Sequence, residues 1–185
     1  DLDVDRDFLG KENCTDILTR SRPDLVRDIH ASYLEAGADM VITNTFGTSP
    51  VTLGEFEIAD EAFSLSKAAA ELAREATEMF TDGRERFVLG DVGPGTKLPS
   101  LGHIDYQSLE NALTIQCQGL VAGGGDAILI ETCQDPLQIK AAVNGAKRAR
   151  VEEGVEMPIF VQVTVETTGT LLVGADIAAA TTAIQ

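Results

Sequence analysis

Four short apolar runs divide this chain, and each ends in polar or acidic residues. They read MVITNTFGT at 40–48, FVLGDVGPGT at 87–96, AILIETCQD at 127–135 and IFVQVTVETTGT at 159–170. Runs this short, rich in Val, Ile and Leu and bounded by turn residues, predict strands buried on both faces. Between them the apolar spacing changes to three and four residues, the helical period. Pro23 and Asp24 suit a first helical turn. Leu25, Ile29 and Tyr33 then recur at every fourth position, with Val26 and Leu34 beside them, up to a stop at Gly37. Ala62, Leu65, Ala69, Leu72, Ala76 and Met79 predict a second helix over about 59–80. A third starts near Asp105, turns Leu109, Leu113, Leu120 and Val121 inward, and breaks at Gly123, Gly124 and Gly125. A fourth covers about 136–151, and a last one opens near Asp176 and is still running at Gln185. Residues 1–22 show no buried strand.

Helix and strand therefore alternate, which predicts an α/β fold with about four parallel strands. In such sheets the carboxyl ends of the strands share one rim, and ligands bind there. Asn44, Thr45, Asp91, Glu131, Thr132, Glu166 and Thr167 all stand at or just past strand ends, so the pattern gathers them although they span more than half the chain. The 185 residues suffice for one domain with a real core, and no Pro- or Ser-rich linker divides them. A complete (β/α)8 barrel needs about 250 residues, so four strands give either a small open sheet or part of a barrel, a single partial domain over 1–185.

Charge narrows the partners. Thirty acidic residues against 14 basic ones leave a net charge of −16, which disfavours nucleic acid and anionic membrane surfaces. No apolar stretch approaches the roughly 20 residues of a membrane span, and the acidic start DLDVDRDF does not resemble a signal peptide. A cytoplasmic protein is the expectation. Cys14, Cys117 and Cys133 are odd in number, far apart and free of any CxxC, which suits reduced thiols better than disulfides.

Each candidate site residue has a plain alternative. Glu131 closes an apolar strand, where an unpaired buried acid is costly; it meets either a ligand ammonium or a partner within the protein. Asn44 and Thr45 either orient a ligand or tie down the loop after them. Glu166 has the weaker claim, because the TTG after it reads equally as a hairpin turn. GDVGPGT lacks the spacing of a phosphate loop, and Pro94 removes a backbone donor; a tight connection forming a pocket wall is the better reading, with Lys97 at its edge. Only two histidines exist: His30, expected on the outer side of the first helix, and His103, near the rim. With no HxxxH and no Cys pair, a complete metal site within the chain is not expected.

The strings SRPDLVRDIHASYLEAGADMVITNTFGTSPVTLGEF, GDVGPGTKLPSLGHI, ILIETCQDPLQIKAAVNGAKRA and VTVETTGTLLVGADIAAA resemble the homocysteine-binding domain of cobalamin-dependent methionine synthases. The resemblance runs from about Leu18 onward and implies a (β/α)8 barrel of which this chain holds family strands 2 to 5. It also implies the reaction: methyl transfer to the sulfur of homocysteine, with methylcobalamin as donor and methionine as product. A zinc ion held by three cysteines favours the thiolate in that family. One of those cysteines follows the sixth strand and an adjacent pair follows the eighth, so none of Cys14, Cys117 and Cys133 matches a ligand, and neither zinc nor cobalamin is expected to be fully bound by this chain. The resemblance implies that Glu131 holds the homocysteine amino group, with Asn44, Thr45, Glu166 and Thr167 at the same rim. At Asp91 the family pattern has Ser, which departs from expectation.

Taken alone, the chain is then expected to be a fragment without catalytic residues of its own, partnered by homocysteine and by the cobalamin module of a parent protein. Two other readings stay open. One keeps the enzyme and changes the methyl donor to betaine or S-methylmethionine. The other is a non-catalytic acidic α/β binding module, or a half-barrel that pairs with another chain.

Overall fold

The computed structural model describes residues 2–184. Its regular elements are α1 (Leu18–Ser21), α2 (Pro23–Glu35), β1 (Met40–Ile42), α3 (Pro50–Leu53), α4 (Ala62–Glu78), β2 (Phe87–Val92), α5 (Tyr106–Ala122), β3 (Ala127–Cys133), α6 (Pro136–Glu153), β4 (Ile159–Val163) and α7 (Ile177–Ile184), with short 3₁₀ turns between some of them. The final residue of the expected last helix, Gln185, lies outside the described residues.

The four strands are parallel and lie in the order β1-β2-β3-β4. Sequential order means that every crossover steps to the next strand in the same direction. The helices also share one face. Val41 and Val88 pack with Leu34 of α2 and Ala73 and Ala76 of α4, and Ile128 and Ile130 pack with Leu113 and Leu120 of α5 and Ile139 and Ala142 of α6. A doubly wound sheet would reverse its strand order and carry helices on both faces. Sequential parallel strands with helices on one face form an arc of barrel wall. On the opposite face Met40, Ile42, Phe87 and Phe160 remain exposed.

The helices start and stop where their sequences direct. Pro23 and Pro136 occupy first-turn positions, Asp105 caps α5 by accepting from the Ser108 N–H, and Gly154 ends α6 in the left-handed conformation. Two expected inward faces are corrected. On α2 the buried stripe is Val26, His30 and Leu34, one residue round from the expected one, and Ile29 and Tyr33 are exposed. The helix carries two adjacent apolar stripes; the second, with Leu25, faces a groove of about 570 Å³ along the free edge of β1. His30 is therefore inside, with no partner for its Nε2. On α4, Met79 is exposed, because the helix ends at Glu78 and uses Ala69, Ala70, Ala73 and Ala76 inward.

The α5 helix approaches its neighbours through glycine. A Cβ on Gly123 would lie 2.3 Å from the Lys67 carbonyl oxygen of α4, and one on Gly119 would lie 2.5 Å from that of Phe63. Gly123→Val is expected to lower stability by at least about 1–3 kcal/mol, the usual cost of overpacking, read by denaturant unfolding.

Burial holds the His30 imidazole below its ordinary pKa. The unfolded chain then takes up a proton that the folded state refuses, so stability is expected to fall as pH drops below about 6.5. His30→Leu should remove that component, which unfolding at pH 7 and pH 5 would show as a smaller loss in the variant.

Candidate functional site

The carboxyl ends of β1, β2 and β3 converge as expected, and buried polar side chains hold them there. Thr43 continues β1 by one backbone bond to the Leu89 carbonyl. Its Oγ1 accepts from the Asp91 N–H at 2.9 Å. The Thr45 hydroxyl donates to the Asp91 carbonyl at 2.7 Å. From α5, the Gln116 Nε2 donates to both the Thr45 and the Asp91 carbonyls, at 2.7 and 3.2 Å. The loop after β2 lies against the loop after β1, where a Cβ on Gly93 would stand 2.5 Å from the Phe46 carbonyl oxygen.

Asp91 and Glu131 face each other across β2 and β3. The register sets Asp91 opposite Leu129, so Glu131, two residues on, projects from the same face beside it. Asp91 is 3% exposed, Glu131 is half-buried, and one Asp91 carboxyl oxygen, Oδ1, has no partner. Burial first, then hydrogen bonding and repulsion from Glu131, push the Asp91 carboxyl up to about 9. Asp16, in the 3₁₀ turn Thr15–Ile17, adds to that repulsion. Its own carboxyl is raised by burial and accepts from the Gly47 N–H at 2.9 Å.

The strand carrying Glu131 is irregular where it matters. The β3–β4 register shifts between Ile130 and Cys133, and Thr132 has φ 59°, a conformation that a β-branched residue adopts only under constraint. Cys133, at the far side of the shift, is buried. The Thr132 hydroxyl donates to Glu131 at 3.2 Å.

The other expected site residues are distributed less evenly. Asn44 is half-buried and its amide donates to the Thr15 carbonyl and the Thr19 hydroxyl. Thr45 is fully buried, with its hydroxyl committed to Asp91 and Thr43. Glu166 and Thr167 are exposed in a turn closed by the Gly169 N–H on the Glu166 carbonyl. Glu166 reaches only as far as the Gln134 amide, at 3.4 Å. Lys97 pairs with Glu55 at 3.2 Å. His103 is exposed and its Nδ1 accepts from the Leu98 N–H.

Four polar residues of the rim were not singled out from sequence: Asp16, Gln116, Asp135 and Gln138. Asp135 is fully buried. It accepts from the Ser100 N–H and hydroxyl and from the Leu137 N–H, so it caps α6 and pins the loop after β2 together. Gln138 donates to the Pro94 carbonyl at 2.8 Å and to that of Lys97, which makes the Gly-rich stretch a pinned wall. The Asp-Pro pair at 135–136 is a helix-start signal that identifies Asp135 as a cap. Nothing in the spacing marks Gln116, which lies in a helix of mixed polarity.

The thiols do not suit a metal. All three are buried and free, and burial pushes Cys117 and Cys133 up to about 12, against the thiolate that zinc requires. Among the described residues no three His, Cys, Asp or Glu side chains gather closely enough to hold an ion. Nor is any described helix long and apolar enough to cross a membrane.

An arc of sequential parallel strands with its helices on one face defines the class: a (β/α)-barrel protein. The family model for homocysteine S-methyltransferase matches residues 2–185, and the chain belongs to that family. It is 51% identical over 186 residues to a methionine synthase of Mycobacterium tuberculosis, covering 100% of this chain and 16% of that protein. A methionine synthase of Mycobacterium leprae is 51% identical over 180 residues, with 97% and 15% covered. The chain thus spans about a sixth of the length of these relatives. Among solved structures, the metallated form of the homocysteine methyltransferase MmuM from Escherichia coli superposes with a TM-score of 0.77 at 20% identity, over 90% of this chain and 60% of that one. Its oxidized form gives 0.73 at 20% identity, over 86% and 57%. These likenesses establish the barrel fold.

Asp135→Ala is expected to lower stability by about 2–4 kcal/mol, since it removes a helix cap and leaves the Ser100 N–H unpaired. Denaturant unfolding measures the loss, and Gly123→Val combined with it should add independently because the two sites share no partner.

Proposed function

We propose that this chain forms the homocysteine-binding wall of a methionine synthase, in which the Asp91–Glu131 pair receives the substrate ammonium. The observation that carries the reading is that pair: two carboxyls at the strand-end rim, partly open to solvent through Glu131, with no Lys or Arg ion pair to either among the described residues. A half-buried acid without a cationic partner is costly in the free protein, and an α-ammonium supplies the missing charge. In this reading Asn44, with Thr45 behind it, faces the substrate from the β1 side, and Glu166 and Thr167 from the β4 side. The 51% identity to methionine synthases, against 20% to the MmuM structures, supports methylcobalamin as the donor, and the parent reaction as methyl transfer to the homocysteine sulfur giving methionine.

Within that reaction the residues of this chain bind and orient. The ammonium end of homocysteine sits against Glu131, which fixes how far the sulfur extends from the rim. The sulfur-activating zinc of the proposed parent finds no suitable ligands among Cys14, Cys117 and Cys133, so no step is assigned to a metal here. Residues 1–185 then act as one partial barrel domain beside a cobalamin module in a cytoplasmic protein; the buried free thiols suit a reducing compartment.

Glu131→Gln tests the reading. Removing one member of a desolvated charge pair typically costs 2–5 kcal/mol, so calorimetric titration of the full-length protein should show homocysteine affinity weakened at least tenfold. Affinity unchanged in the variant would sink the assignment.

A further inference from the structure

We propose that Asp91 is a positioning residue for Glu131: its carboxyl stays protonated and donates that proton in a hydrogen bond that aims Glu131 at the substrate ammonium. The target of the aim rests on the ammonium reading above; the proton on Asp91 does not.

The geometry leaves Asp91 little choice. Its N–H is held by Thr43 and its carbonyl by Thr45 and Gln116, so the backbone cannot swing the side chain out to water. The register points that side chain at Glu131. The groups facing it are both acidic: Glu131 from β3 and Asp16 from the 3₁₀ turn before α1. No Lys or Arg pairs with it among the described residues. Two adjacent carboxyls with no cation beside them resist ionising together, and the more buried one keeps the proton. Asp91 is the more buried, and burial together with Glu131 raises its carboxyl to about 9. The proton then serves as a donor to Glu131 from within the wall, beside the Thr132 hydroxyl.

This role differs from that of a buried acid tolerated for packing. A packing residue could be replaced by Ala, which cannot overpack the site, without harm to binding. A positioning donor could be replaced only by another donor of the same reach, and Asn offers one without a titratable proton.

The test uses the full-length protein labelled with ¹³C-aspartate. In the infrared difference between wild type and Asp91→Asn at pH 7, the carbonyl stretch of a protonated carboxylic acid is expected, and it should disappear as the pH passes about 9. Its absence at pH 7 would overturn the proposal. By calorimetry, Asp91→Asn should bind homocysteine within about threefold of wild type, and Asp91→Ala at least tenfold more weakly. Wild-type affinity in Asp91→Ala, or a tenfold loss in Asp91→Asn, would equally overturn it. If instead Glu131→Gln binds homocysteine normally while the acid band persists, the ammonium reading fails and the proton on Asp91 stands.

Discussion

The close approach of α5 to α4 and α6 is the constraint on which the rest of this wall depends. Gly119 and Gly123 let α5 meet the backbone of α4, and Gly145 of α6 meets α5 at Thr114, where a Cβ would stand 3.1 Å from the backbone nitrogen. On the sheet side Gly90 admits Leu120, with a Cβ there only 3.0 Å away. Helices this close fix the spacing of the strands they connect, because each crossover is short and its helix lies directly over the sheet. Interiors packed to this density transmit a displaced methyl group as a displaced strand. The position of the rim is thus decided on the far side of the sheet, among residues that never meet a ligand.

The same helix reaches through to the chemistry. Gln116 is on the inner side of α5, one residue from the buried Cys117, and its amide nitrogen holds the chain just after β1 and the end of β2 at once. Thr43 and Thr45 complete the attachment from the β1 side. Asp135 and Gln138 do the corresponding work between β3 and the loop after β2. Polar groups buried this deeply are stabilising only when satisfied, and here they are satisfied by the very carbonyls and N–H groups that a strand loses when it leaves the ladder. The rim is consequently rigid at β1, β2 and β3. Past β4 the chain turns back on itself through Glu166 and Gly169, held mainly by local bonds.

Legibility followed the physics of each feature. Strands and helices could be read because period and composition are local: Pro23, Asp105, Pro136 and Gly154 mark boundaries wherever they occur. The inward face of α2 could not, because Leu25–Ile29–Tyr33 and Val26–His30–Leu34 are both plausible stripes, and only the position of β1 chooses between them. Glu131 was visible as an acid closing an apolar strand. Asp91 was visible as a residue and obscure in role, since its meaning lies in a neighbour 40 positions away and in the register that brings them together. The bulge at Thr132 has no sequence signature at all; a threonine with φ 59° is the last residue that propensity would place there.

The protonation of the pair carries a consequence for specificity. Opposite the helices, the sheet presents Met40, Ile42, Phe87 and Phe160 below the rim and the two carboxyls at it. Were both ionised, the pair would carry two negative charges in a site of low dielectric, an arrangement that favours a divalent cation over a singly charged ligand. With one proton retained, the pair presents one charge and a fixed direction, which matches a single ammonium. Gly90 faces Leu120 of α5, so Asp91, the next residue of the strand, points away from that helix, and the burial that makes its ionisation so costly is set on the rim side, where Glu131 and Asp16 face it. In the ammonium reading, ligand charge is then selected by how dry that side of the sheet keeps Asp91.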